Sequence, residues 1–308
     1  VERDIGHEYI TGFEERMTEQ ARDTLPTKWD SINELMDGGL AGGELGVIVA
    51  PAGIGKSWTL QALGAEAVKN GKTVIHYTLE LNAEYVGLRY DTIVSGQPTG
   101  NLQYYKEEVL QAINKLKGNL IIKYYPTRTA SVATLTAHLQ QCELQGIKPD
   151  LVLVDYADIM KSTVNFTEKR HQIGHIYEEL RGMAGEFEIP VWTASQANRS
   201  SLEEDVIGAD KVSEDYSKVM TADFVMSMSR KVEDKIANTG RFHVIKNRFG
   251  PDGITFPATI NTNTGYIMIY ESTTVGGKEV QGKMNNADEY IRKTLSQKKK
   301  DFETDGFE

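Results

Sequence analysis

Residues 43–70, GELGVIVAPAGIGKSWTLQALGAEAVKN, constrain this chain more than any other stretch. Val47, Ile48 and Val49 form a short apolar run of strand-forming residues, as a strand buried on both faces requires. A loop of small residues follows from Ala50 to Gly55, then Lys56 and Ser57, then a helical stretch stopped at Asn70-Gly71. In such an arrangement backbone N–H groups cradle phosphates at a helix N-terminus, the lysine reaches the β/γ-phosphates, and the hydroxyl holds magnesium. Pro51, Ala52, Gly53, Ile54, Gly55, Lys56 and Ser57 are therefore expected to bind a nucleotide, with Ser57 a ligand of Mg2+. The pattern asks for glycine where this chain has Ala50, but Gly53 and Gly55 still permit a tight backbone curl. The alternative is a Gly-rich strand-to-helix turn with an incidental lysine.

The totals suit such a domain. A chain of 308 residues, 40% hydrophobic and 25% charged, fits one large globular domain, alone or with appendages. No apolar run is long enough to span a bilayer, and the opening VERDIGHEYI does not read as a signal peptide. The one cysteine, Cys142, is expected to be a small core residue on a helix. It excludes a disulfide framework and a cysteine metal site, and makes a reducing cytoplasm the natural compartment. A net charge of −10 means that any contact with nucleic acid must come from a local basic channel.

Residues 1–23 carry Ile5, Tyr9, Ile10, Phe13 and Met17 at three-to-four spacing and read as an amphipathic helix. It packs on its own domain or docks on a neighbouring subunit. After the 43–70 unit, a strand over 73–79 ends in Glu80, and a carboxylate at that edge of a parallel sheet points into the ligand crevice. It can orient or deprotonate water for attack on a γ-phosphate, or it can simply be solvated. Helices over 83–95, 104–116 and 132–144 and a strand over 120–124 follow. LVLVD at 151–155 is then a buried strand delivering Asp155 to a magnesium shell. No role is assigned to Asp158.

The run TLPTKWDSINEL followed by MDGGLAGGEL, ahead of the phosphate loop, resembles DnaB-type replicative helicases, which often carry Ala at the first loop position. KNRFGPDG at 246–253 closely resembles that family's turn, whose basic pair crosses the subunit interface. The resemblance covers about residues 24–270. It implies a RecA-like α/β core, a mostly parallel sheet with helices on both faces and an antiparallel C-terminal hairpin extension. It further implies an ATP- and Mg2+-dependent motor of a homo-hexameric ring, translocating on single-stranded DNA and unwinding duplex in the cytoplasm of a bacterial or phage-infected cell. Primase and a helicase loader are further candidate partners; a membrane is not.

By the same resemblance Glu80 prepares water, Gln196 at the end of the strand from Pro190 senses the γ-phosphate, and Lys246 and Arg248 serve the neighbouring subunit's ATP. Lys161, Lys169 and Arg170 lie in the loop that faces the channel in such folds, although an ordinary solvated start of a helix accounts for them equally. The segment 197–216 reads as a second DNA loop led by Arg199 and Lys211. The expected organisation is a linker helix at 1–23, the motor domain at 24–275 and a polar, flexible tail at 276–308. A RecA-type recombinase or mediator, or a regulatory ATPase using nucleotide as an assembly switch, are the alternative functions.

Overall fold

A computed structural model describes residues 6, 8–18, 22–164, 166–198, 201–202, 204–211 and 217–286. The order of elements begins α1 (Phe13–Thr18), β1 (Thr24–Leu25), α2 (Asp30–Leu35), β2 (Leu40–Ala41), β3 (Leu45–Ala50), α3 (Lys56–Lys69), β4 (Thr73–Thr78) and α4 (Ala83–Ser95). It continues with α5 (Lys106–Asn114), β5 (Asn119–Tyr124), α6 (Val132–Leu144), β6 (Leu151–Asp155), α7 (Lys169–Phe187), β7 (Val191–Gln196) and α8 (Ser217–Thr221). Last come β8 (Phe224–Ser229), α9 (Val232–Ala237), β9 (Thr239–Asn247), β10 (Thr255–Asn261), β11 (Tyr266–Ile269) and α10 (Val275–Asn285).

Alternation within the strands sets the layers. Val47, Val49, Ile75, Tyr77, Val152 and Val154 enter one buried cluster with α6 and α7, through Leu135, Leu139, Ile176 and Leu180. Their chain neighbours Ile48, Ala50, Val74, Leu151 and Leu153 enter a second cluster with Leu60, Leu63 and Val68 of α3. Successive side chains of a strand point to opposite faces, so near-continuous apolar strands need helices on both sides. The sheet has nine strands in the order β11-β10-β9-β8-β3-β7-β6-β4-β5. β8 to β5 in that order run parallel, whereas β9, β10 and β11 extend the β8 edge as an antiparallel meander.

Register determines what can reach what. β3 and β8 run parallel with Gly46 opposite Phe224, so residues just before β8 lie at the N-terminal edge of β3. The phosphate loop leaves the other edge, after Ala50.

Two expectations change. The stretch from 276 begins as helix α10, not as a tail: Thr274 accepts a hydrogen bond from the Gly277 N–H at 3.1 Å, and Gly277 and Val280 are buried beside β10. Its glycines let a helix poor in apolar residues lie close to the chain, and the rest of that stretch, 287–308, lies outside the described residues. At the other end, the helix expected over 1–23 covers only Phe13–Thr18 among the described residues, with Tyr9 and Ile10 78% and 82% exposed; Ile5 is outside the described residues. No helix among the described residues is long and apolar enough to cross a membrane.

Candidate active site

The C-terminal edges of β3, β4, β6 and β7 surround a cleft of about 320 Å3. The loop after β3 forms its floor. Gly53 and Gly55 sit at φ +73° and +123°, in the region that disfavours side chains, and a Cβ on Gly55 would approach Met228 Cε at 3.1 Å. Ala52, Gly53, Gly55, Lys56 and Ser57 line the cleft. Ile54 instead buries its side chain in the core beside α3, and Pro51 is buried, so these two can serve a ligand only through their backbone. Lys56 Nζ rests 3.5 Å from the Pro51 carbonyl oxygen. Burial holds its pKa below the ordinary value, with Asp155, Glu80 and Asp158 pulling it back up.

Asp155 ends β6 inside this cleft's wall, 1% exposed. Burial pushes its carboxyl up to about 6, against the hydrogen bond from Ser57 and the charges of Lys56 and Arg89, and with Glu80 adding to the rise. Its Oδ1 is buried and has no hydrogen-bond partner among the described residues. A carboxylate oxygen in want of a cation, beside a serine hydroxyl, fits Mg2+, which takes one or two carboxylates and leaves its other positions to water and substrate phosphates. The described residues contain no cluster of three His, Cys, Asp or Glu that could hold a metal unaided.

Glu80 stands at the mouth of the cleft, exposed, immediately after β4. The turn that carries it is tied down. Thr78 Oγ1 donates to the Leu81 carbonyl at 2.7 Å, Thr127 Oγ1 to the Leu79 carbonyl at 2.8 Å, and the Leu79 N–H to the Asp155 carbonyl at 2.8 Å. Gln196 lines the same cleft from the end of β7, its N–H donating to Asp158 Oδ2 at 3.0 Å. Lys56, Ser57, Asp155, Glu80 and Gln196 thus come together at one edge although they are scattered over 140 positions from 56 to 196.

The cleft also holds residues that the sequence did not single out. Arg89 of α4 lies 5.0 Å from the Trp58 ring and 5.2 Å from the Tyr85 ring, and its Nε is buried without a hydrogen-bond partner among the described residues. Trp58, Tyr156 and Thr262 complete the wall, Thr262 arriving from the end of β10. A basic and two aromatic residues on ordinary helical and loop positions carry no motif; only the cleft distinguishes them. Asp158, to which the sequence assigns no role, accepts from Tyr177, Ser195, Gln196 and Lys218.

Lys246 and Arg248 are not in this cleft. Lys246 Nζ donates to the carbonyls of Val219 and Met220 at 2.9 and 2.5 Å, and Arg248 pairs with Asp223 at 2.8 Å. Asp223 accepts the N–H of Leu45, the first residue of β3. The pair therefore sits a strand's length from its own phosphate loop, about 17 Å at the usual rise per residue.

Of the expected DNA contacts, Lys161 and Lys169 line one separate cleft of about 380 Å3, and Arg128 joins them there. Arg170 is ion-paired with Glu168 at 2.5 Å and Lys211 with Glu204 at 2.9 Å, so both charges are engaged by carboxylates of the chain. Arg199 lies outside the described residues. What is described of its loop is held in place: Ile207 is buried in the core, and the Ser227 and Ser229 hydroxyls donate to the Ile207 and Asp205 carbonyls.

Fold and cleft define a RecA-like P-loop nucleotide-binding domain. Residues 24–262 match the family model of the DnaB-like helicase C terminal domain, and the chain belongs to that family. It is 28% identical over 260 residues to the DnaB-like replicative helicase of Enterobacteria phage T4, covering 80% of this chain and 55% of that relative. It is also 23% identical over 182 residues to the replicative DNA helicase DnaB of Helicobacter pylori, covering 57% of this chain and 37% of the relative. The chain thus spans about half or less of these relatives' lengths. Among solved structures, an isolated ATPase domain superposes with a TM-score of 0.71 at 18% identity, covering 85% of this chain and 97% of that one. A DnaB-like replicative helicase, solved in a study of its interactions with primase, superposes at 0.72 and 18%, covering 85% and 66%. These two likenesses concern the fold.

Proposed function

We propose that this chain is the ATP-driven motor of a replicative DNA helicase, acting as a ring of six copies on single-stranded DNA. The observation that carries this is the convergence of Lys56, Ser57, Glu80 and Gln196 on one cleft, with Asp155 buried against Ser57 behind its wall, while Lys246 and Arg248 sit at the far edge of the same sheet. One copy has half a site at each edge. A neighbour must supply the other half, which is what a ring does.

Within one copy, the loop N–H groups and the N-terminus of α3 bind the phosphates of ATP, and Lys56 swings from the Pro51 carbonyl to the β/γ-phosphates. Ser57 and Asp155 would hold Mg2+, which neutralises charge on those phosphates when bound. Glu80, exposed at the mouth, orients and accepts a proton from the attacking water. Gln196 can donate its amide to the γ-phosphate. Arg248 of the next copy places a guanidinium on the developing charge.

Residues 1–23 are assigned as a linker segment and the body from residue 24 as the motor. Lys161, Lys169 and Arg128 are assigned to the DNA backbone, with Arg170, Arg199 and Lys211 as outlying contacts. Primase and a helicase loader are proposed partners, in the cytoplasm. ATP turnover, measured with and without single-stranded DNA, and strand separation on a forked duplex test the assignment. Stimulated turnover with unwinding supports it; turnover with neither returns the chain to the regulatory ATPases.

A further inference from the structure

Asp158 and Lys218 form an ion pair at 3.0 Å, with side chains only 11% and 1% exposed. Tyr177 donates to Asp158 Oδ1 at 2.8 Å; the Gln196 N–H and the Ser195 hydroxyl donate to Oδ2 at 3.0 and 3.1 Å. Lys218 Nζ donates in turn to Ser195 Oγ at 3.1 Å and lies 5.7 Å from the Tyr177 ring. The network stands at a joint. Asp158 is on the turn Ala157–Ile159, three residues past Asp155, and Gln196 faces the cleft. Lys218 is the second residue of α8, whose Val219 and Met220 carbonyls hold Lys246 and which leads directly into Asp223, the partner of Arg248.

We infer that the Asp158–Lys218 pair is a strut that makes the placement of Lys246 and Arg248 depend on the state of the chain's own nucleotide cleft. The inference rests on the cleft being an ATPase site. A buried ion pair adds little net stability compared with well-packed apolar residues, but separating its members leaves an uncompensated charge in low dielectric. The two therefore move together. A shift of the Gln196 backbone or of the turn after Asp155 carries Lys218 with it, and α8 carries the carbonyls that hold Lys246. Contiguous hydrogen bonds give this route a physical basis. Occupancy of one site is thereby conveyed to the basic pair offered to the next. Asp158 and Lys218 act as positioning residues, and neither lines the nucleotide cleft.

The test has two arms. In the wild-type chain, hydrogen exchange over 217–223 and 246–248 is followed with and without a non-hydrolysable ATP analogue and Mg2+. Altered exchange in both segments is expected, and an analogue that binds without changing them overturns the strut with no variant needed. In the second arm, Asp158→Asn/Lys218→Met removes both charges together, so that neither is left alone. Its kcat for ATP should fall about a hundredfold with KM unchanged, the loss that a 1 Å misplacement of a catalytic group produces. Wild-type kcat in this variant overturns the strut, and so does a rise in KM alone, which would make the pair a mere support of the cleft. A wild-type chain that neither binds the analogue nor hydrolyses ATP overturns the ATPase assignment itself, and the strut falls with it.

Discussion

Arg248 donates to Asp223 Oδ1 at 2.8 Å, on a carboxylate that Arg181 already holds through Nε and Nη2 at 3.0 Å each. Asp223 is 3% exposed and Arg248 44%, so the carboxylate is fixed in the sheet edge and the guanidinium rests on it from outside. A partly exposed ion pair of this kind contributes at most about 1 kcal/mol. Arg181 keeps Asp223 paired when Arg248 leaves. The arginine is thus held at little cost, and in the proposed ring it would exchange a shared carboxylate for a phosphate on a neighbouring copy.

Arg248→Ala should lower ATP turnover by about a thousandfold or more, the worth of an arginine finger on a developing phosphate charge. Glu80→Gln should also be nearly inactive. Mixed in one ring, the two place an intact Glu80 beside an intact Arg248 at some interfaces, so turnover should exceed that of either alone. Co-purification of tagged and untagged copies establishes mixing. A mixed ring that stays inactive, while wild-type copies doped into either variant do restore turnover, places Arg248 in its own copy's chemistry.

Lys56→Ala should abolish hydrolysis and weaken nucleotide binding, since its ammonium is the cation in the phosphate loop. Glu80→Gln should bind ATP normally and turn it over slowly, since in the proposed mechanism it acts on water and not on phosphate. Calorimetric titration beside a turnover assay separates them; near-normal turnover by Glu80→Gln removes that residue from the mechanism.

Asp155 gives a pH signature. Its folded pKa of about 6 exceeds the ordinary 3.8, so the folded state binds the proton more tightly than the unfolded. Its contribution to stability is therefore present in acid and is lost as pH rises from about 4 through about 6, by up to about 3 kcal/mol at 1.36 kcal/mol per pK unit. In chelator, Asp155→Asn should be more stable than wild type at pH 8, with the gap closing near pH 4. The variant should be inactive throughout. Wild-type affinity for Mg2+ with nucleotide should fall as pH drops through about 6, because a protonated carboxyl is no ligand. Denaturation midpoints at the two pH values check the first part, and calorimetry the second.

Binding to single-stranded DNA should weaken with salt, log affinity falling with log salt by about 0.7 per phosphate neutralised. Arg128→Ala, Lys161→Ala and Lys169→Ala should each flatten that slope by about one such contact. Lys211→Ala should change it less, because Glu204 already neutralises that charge at 2.9 Å. Salt titrations of a labelled oligonucleotide decide the matter, and a slope unmoved by all three variants moves the DNA site elsewhere.

Asp223→Ala should destabilise the chain by about 1–3 kcal/mol, the cost of leaving the buried Leu45 N–H without an acceptor, since the two arginines it also releases are partly exposed. It leaves Arg181 and the Leu45 N–H without their acceptor. A thermal melt measures this, and a midpoint within a degree of wild type would show the edge to be held by other contacts.

Local chemistry was legible in the sequence wherever it is contiguous. The strand, glycine loop, Lys56 and Ser57 are neighbours in the chain, and LVLVD carries Asp155 on its own strand, so motif and geometry coincide. Gln196 and KNRFGPDG were legible only through resemblance. The tertiary structure alone brought Arg89, Trp58, Tyr156 and Thr262 to the cleft and Arg128 to Lys161 and Lys169, because pairing and crossover connections decide which distant residues meet. It also turned Ile54 inward, made a helix of 275–285, and joined Asp158 to Lys218 across sixty positions. Charge in a sequence has no partner until burial removes the water that would otherwise serve as one. Sequence determined which groups could do chemistry here; only packing decided which of them face a ligand, which face each other, and which edge of the sheet each one holds.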